Sequence, residues 1–219
     1  LSREHWIRLL RLAHEDPRQA FGLYAGHYLN THGRTYWSDT MQLSTYLPGY
    51  AEFLAGPDGA AGAPSAAEPE STPERTLMIT ELYVPPDALP TFMKEARRVL
   101  RETTVRDIYG TIRAIQPDTT TFLPWAVGER ACVIFNLLVH HHDAGITRTR
   151  NAACGLIDVA ADLGGSFYLT YHRWATRDQL LRCYPRLPEW LEQKHRFDPD
   201  GLFTSDWYEY IRGTIERGE

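Results

Sequence analysis

Residues 131–139 read ACVIFNLLV. The run is short and apolar almost throughout, as expected of a strand at the centre of a sheet with both faces covered. Its one polar interruption is Asn136. On its N-terminal side, residues 105–116 read VRDIYGTIRAIQ and alternate. Ile108, Gly110, Ile112 and Ala114 point one way, and Asp107, Tyr109, Thr111 and Arg113 the other. Further upstream, LMITELYV at 77–84 is short and β-rich. Between these two strands, Leu89, Phe92, Met93, Ala96, Val99 and Leu100 recur at helical spacing, and Asp87 is placed to cap that helix. After the central strand, Ala153, Leu156, Ile157 and Ala160 form a second helical stripe, which Gly164-Gly165 would stop. SFYLTYH at 166–172 reads as a fourth strand. The order is βαββαβ, so the expected class is α+β: a ferredoxin-like antiparallel sheet with both helices on one face. Beyond it RDQLLRCYP and LPEWLEQKHRF read as short helices, and the aromatic LFTSDWYEYIRG closes a C-terminal helical segment.

The chain has 219 residues with 43% hydrophobic, 23% charged and 12% aromatic content, the composition of a folded protein. A formal charge of −5 gives no bulk attraction for nucleic acid or an anionic membrane. No apolar run reaches the ~18 residues of a membrane span. Cys132, Cys154 and Cys183 are widely spaced and odd in number, which suits a reducing, cytoplasmic setting; peripheral membrane association stays open. Residues 56–75, GPDGAAGAPSAAEPESTPER, have almost nothing to bury and read as a flexible linker or loop. The expected organisation is a leading segment at 1–55, the linker at 56–75, the sheet domain at 76–172 and the helical segment at 173–219. The chain opens on Leu1 in a helical pattern, HWIRLLRLA, without a signal peptide, and reads as a piece of a longer protein.

No phosphate-binding glycine loop, nucleophile elbow or HExxH metal motif occurs. His140, His141 and His142 are consecutive, so they cannot all face one metal, and they read as an exposed loop. The sheet lacks the aromatic signature of an RNA-binding surface. What stands out is polar: Glu81, Arg113 and Asn136 sit mid-strand, and Tyr168, Tyr171 and His172 lie in the last strand. Polar groups in four strands of one sheet are costly unless partnered. Two readings follow. In one, Glu81 and Arg113 form a cross-strand surface pair and Asn136 caps an edge. In the other, the same groups converge on a ligand.

A resemblance favours the second. Residues 168–208, YLTYHRWATRDQLLRCYPRLPEWLEQKHRFDPDGLFTSDWY, resemble the C-terminal end of FAD-linked oxidases of the vanillyl-alcohol oxidase superfamily, the aldonolactone, alditol and decaprenylphosphoryl-ribose oxidases above all. Tyr184, Pro185, Arg186, Glu189 and Trp190 fit that pattern, as do Asp198, Pro199, Phe203, Ser205 and Asp206. ELYVP at 81–85 and YGTIR at 109–113 match earlier strands of the same cap domain, and THGRTYWSD at 31–39 resembles the segment entering it, which makes 1–55 the entry segment and 173–219 the segment that would return to the FAD domain. The resemblance implies the substrate (cap) half of a flavoenzyme that oxidises a CH–OH group of a polyol, lactone or sugar-like substrate. FAD would be bound mainly by a domain of the same polypeptide outside this sequence. It further implies that Glu81 and Asn136 bind substrate, that Arg113, Tyr171 and His172 are catalytic, and that Tyr168 and Tyr171 touch the flavin. Members of the family commonly carry Lys where this chain has Tyr171. The fragment alone is expected to be inactive, and its aromatic face can bring two copies together as a homodimer. The alternative is a self-standing ferredoxin-like binding or oligomerisation module without flavin.

Overall fold

The computed structural model describes residues 1, 3–35 and 75–217. The chain divides into two compact units, Leu1–Thr72 and Pro73–Glu219. The boundary falls inside the stretch 56–75, which itself lies outside the described residues apart from Arg75, as do residues 36–39 of the THGRTYWSD match.

In the first unit, helix α1 (Arg3–Glu15) contains HWIRLLRLA and is followed at once by α2 (Pro17–Leu29). Asp16 separates them: its carboxylate accepts from the Gln19 N–H at 3.1 Å while Pro17 starts α2 with its preset φ. Trp6 and Leu9 are buried, and the Trp6 ring meets Tyr24 edge-on at 6.2 Å.

The second unit holds a four-stranded antiparallel sheet of β1 (Arg75–Val84), β2 (Asp107–Ile115), β3 (Arg130–His140) and β4 (Ser166–Phe167). Its spatial order is β2-β3-β1-β4. β3 lies between β1 and β2, the position its apolar run requires. Helix α3 (Leu89–Glu102) follows β1, and α4 (Asp143–Asp162) follows β3. Both pack on one face: Phe92, Ala96 and Val99 of α3 and Leu156, Ile157 and Ala160 of α4 share a core with Leu82, Val84, Val133, Phe135 and Leu137. Strand alternation then sends Ile79, Glu81, Tyr83, Cys132, Ile134 and Asn136 to the opposite face.

The C-terminal segment is part of this same core. Helices α5 (Arg177–Cys183), α6 (Leu187–Phe197) and α7 (Asp206–Arg212) contribute Leu180, Leu187, Leu191 and Ile211 to it. α5 carries a full capping box between Thr176 and Gln179. α6 ends where Asp198 accepts from the Leu202 and Phe203 N–H groups at 2.9 and 3.0 Å and pairs with Lys194.

Four details depart from the sequence reading. Asp87 does not cap α3; it lies in a 3-10 turn, Pro86–Ala88, and the N-cap position of α3 is Ala88, whose side chain cannot cap. Ile112 pairs with Val133 on the helix side, yet it is 54% exposed, because β2 is an edge strand that the helices do not cover. A register shift between Asp107 and Tyr109 lets the Asp107 carboxylate take the Asn136 N–H at 3.0 Å. Finally, β4 spans two residues rather than 166–172. Tyr168 adds one further bond to the Glu81 carbonyl at 3.0 Å, but the Leu169 carbonyl is taken by the Trp207 indole at 2.7 Å, and the chain turns away.

The entry from α4 into β4 depends on glycine at two places. Gly164 has φ +71°, a left-handed stop for α4. At Gly165 an added Cβ would lie 2.1 Å from the Tyr83 carbonyl oxygen, so only glycine lets the helix end approach β1.

Candidate functional site

Glu81 sits mid-strand in β1 on the face away from α3 and α4. Its carboxylate accepts from the Tyr83 hydroxyl at 2.7 Å and from the Tyr171 hydroxyl at 3.0 Å. The Cys132 thiol reaches the same carboxylate at 3.8 Å. Tyr83 and Cys132 are opposed in the β1–β3 register, and Cys132 and Arg113 in the β2–β3 register. One cross-sheet row therefore carries a phenol, a thiol and a guanidinium, with the carboxylate two residues away along β1. Tyr168 packs on this patch, and its ring lies 4.7 Å from that of Tyr171.

The electrostatics follow from this geometry. Burial and the hydrogen bond to Glu81 push the Tyr171 phenol up to about 12. Burial, together with the Glu81 charge, pushes the Cys132 thiol up to about 12, while Arg113 pulls it the other way. Tyr83 is pushed up further still by burial and by its bond to Glu81. All three are therefore neutral at pH 7 and act as hydrogen-bond donors around one carboxylate. Arg113 is exposed, and no ion pair joins it to Glu81 among the described residues, since the two lie on strands either side of β3. The cross-strand surface pair weighed from sequence does not form.

The sequence-selected residues thus fall into three groups. Glu81, Tyr168, Tyr171 and Arg113 surround one patch. Asn136 is on the same face by register, but in the middle of the central strand and 1% exposed, so it is neither an edge cap nor open to solvent. His172 is elsewhere. It stacks on Phe167 at 6.5 Å and on Trp174 at 5.3 Å, on the helix side of the sheet, and its buried Nδ1 has no hydrogen-bond partner among the described residues. Burial lowers its pKa to about 4. Sequence reasoning missed Tyr83 and Cys132. The signal for Tyr83 was its i+2 spacing from Glu81, which puts both on one face; Cys132 needed the register.

The residues carrying the C-terminal resemblance have structural work. The Tyr184 hydroxyl donates to the Phe167 carbonyl, Ser205 caps α7 by accepting from the Tyr208 N–H at 3.2 Å, and Asp206 pairs with Arg173 at 3.1 Å. Among the described residues no group of His, Cys, Asp and Glu is arranged to hold a metal ion, and no helix is long and apolar enough to cross a membrane. A scan of protein-family models finds no match to the chain, and a search of curated proteins finds none.

Proposed function

We propose that this chain is the substrate-side half of an FAD-dependent oxidoreductase acting on CH–OH donors, of the vanillyl-alcohol oxidase type. The strand order β4-β1-β3-β2, with a helix after β1 and another after β3, supports reading its second unit as ferredoxin-like. The observation that carries the proposal is the Glu81 carboxylate, gripped by Tyr83 and Tyr171 on the sheet face that the family lays against its flavin. The residues present suit the ring and substrate side of that cofactor. Tyr171 and Arg113 are exposed donors, and the Thr111 hydroxyl on β2 is buried without a partner among the described residues. Nothing in the sequence resembles a glycine loop for the FAD pyrophosphate, which the reading assigns to another domain of the polypeptide. FAD, when bound, supplies hydride acceptance; the protein's part is orientation and charge. Glu81 has lone pairs left beyond its two phenol bonds and accepts a substrate O–H. Arg113 meets negative charge as it develops on a substrate or ring oxygen. His172 takes no part, being stacked in the core. The three free thiols suit a reducing, cytoplasmic setting.

One observation favours the second reading, a binding module that works by docking. Phe197, Leu202 and Phe203 are 79%, 76% and 78% exposed on the turn that Asp198 holds in shape. Such a display needs a partner, either the FAD domain or a second copy. Expression of the complete reading frame separates the two. A flavin absorption band bleached anaerobically by alditols or aldonolactones supports the oxidase. A colourless, self-associating protein with no flavin domain overturns it.

A further inference from the structure

We propose a second ligand site, for a phosphorylated small molecule, on the helix side of the sheet. A hollow of about 530 Å³ opens there between α4, the segment 173–176, α5 and the turn after α7. Three arginines from separate places line it: Arg150 of α4, Arg173 of the connecting segment and Arg177 at the start of α5. Trp174, Tyr210 and Thr214 complete its wall.

The charge balance sets the ligand's sign. The whole chain carries −5, yet this hollow gathers three cations. Arg173 is matched by Asp206 at 3.1 Å. Among the described lining residues one carboxylate faces the hollow, Asp178; it lies 3.7 Å from Arg182, which it shares with Asp162 and Asp158, so the wall's cations exceed its single anion. Neither Arg150 nor Arg177 has a carboxylate partner among the described residues. The Arg150 guanidinium lies 6.0 Å from the Trp174 ring centroid, and the Arg177 Nε donates to the Ile215 carbonyl at 3.3 Å. That bond fixes Arg177 by one nitrogen and leaves its other N–H groups to donate. Two forked donors with unbalanced charge around a concave wall match the oxygens of a phosphoryl group. The hollow is larger than a bare phosphate requires, and Trp174 and Tyr210 offer apolar surface for an organic part. The site is independent of Glu81 and Arg113, which lie on the opposite face of the sheet, so it stands or falls apart from the flavin reading.

The test uses the 219-residue chain and isothermal titration with pyrophosphate, ADP and adenosine. We expect ADP and pyrophosphate to bind, more weakly as salt is raised, and adenosine not to bind. Tighter binding of ADP identifies an organic phosphate as the ligand; equal binding identifies the inorganic anion. The double variant Arg150→Gln/Arg177→Gln should weaken binding at least about tenfold. Arg150→Lys, which keeps the charge but not the fork, should bind more weakly than the native chain and more tightly than Arg150→Gln. Circular dichroism checks that each variant is folded. Absence of pyrophosphate and ADP binding at millimolar concentration overturns the proposal. So does adenosine binding as tightly as ADP, or a folded double variant that binds like the native protein.

Discussion

Replacing Glu81 by Gln keeps the side chain's size and one acceptor oxygen but removes the charge that two phenols share. In the native protein the Tyr83 and Tyr171 hydroxyls donate at 2.7 and 3.0 Å. Tyr83 donates to Oε2 and Tyr171 to Oε1, so Gln keeps one acceptor and turns an NH2 donor toward the other phenol, which must then accept. Hydrogen bonds to a charged group contribute about 1.5–3 kcal/mol and neutral ones about 1 kcal/mol, so each contact weakens by roughly 0.5–2 kcal/mol. Tyr171 is 42% exposed and belongs at the low end. The sum is about 1–2 kcal/mol of lost stability, a fall in Tm of roughly 2–8 °C. The sharper readout is titration. Tyr171 is raised to about 12 by burial first and by Glu81 second, so Glu81→Gln should lower it part of the way back toward 10. A group raised on folding adds stability that is complete below its unfolded pKa and is lost as pH rises through its folded one. The native protein should therefore lose stability between about pH 10 and pH 12, and Glu81→Gln should lose less over that range. Tyrosine Cζ shifts in a 13C-labelled sample, with Tyr171→Phe to assign the signal, follow the titration directly. An unchanged Tyr171 midpoint in Glu81→Gln would refute the clamp.

Arg113→Ala, measured in a flavin-loaded full-length enzyme, should lower turnover by the equivalent of about 2–4 kcal/mol while costing under about 1 kcal/mol of stability; unchanged turnover with full flavin loading retires its catalytic role. His172 is held neutral with its pKa near 4, so it contributes stability present above its unfolded pKa and lost as pH falls from about 6.5 toward 4. His172→Phe should flatten that acid limb and be neutral or up to about 1 kcal/mol stabilising at pH 7, as read by urea unfolding, because the buried Nδ1 has no partner to lose. Gly165→Ala should destabilise by about 3 kcal/mol because its Cβ would meet the Tyr83 and Ala160 carbonyl oxygens at 2.1 and 2.8 Å. Gly164→Ala meets nothing within 4 Å and should cost only the left-handed backbone, about 1 kcal/mol; equal costs for the two would contradict this account.

The contrast between Tyr83 and Tyr171 explains what the sequence could reveal of the site. Tyr83 is two residues from Glu81, so the strand period alone puts the two on one face. The same local rule brings Arg113 to that face once Ile112 is assigned to the helix side, and helical spacing marks Phe92, Ala96 and Val99 as core. Tyr171 is 90 residues from Glu81, and no period connects them. It reaches the carboxylate because the chain leaves the sheet after Tyr168, and it leaves there because Trp207, 38 residues onward, takes the Leu169 carbonyl. A regular strand through 166–172 would have fixed Tyr171 and His172 by alternation alone. The turn instead sends His172 into the stack between Phe167 and Trp174 and frees Tyr171 to cross toward β1. The C-terminal helices, which the sequence reading set apart as a segment returning to an FAD domain, thus decide which residues meet at the carboxylate, as α7 does through Trp207. A disturbance of α7 such as Trp207→Phe would act on the site through the Leu169 carbonyl it releases, without touching Glu81.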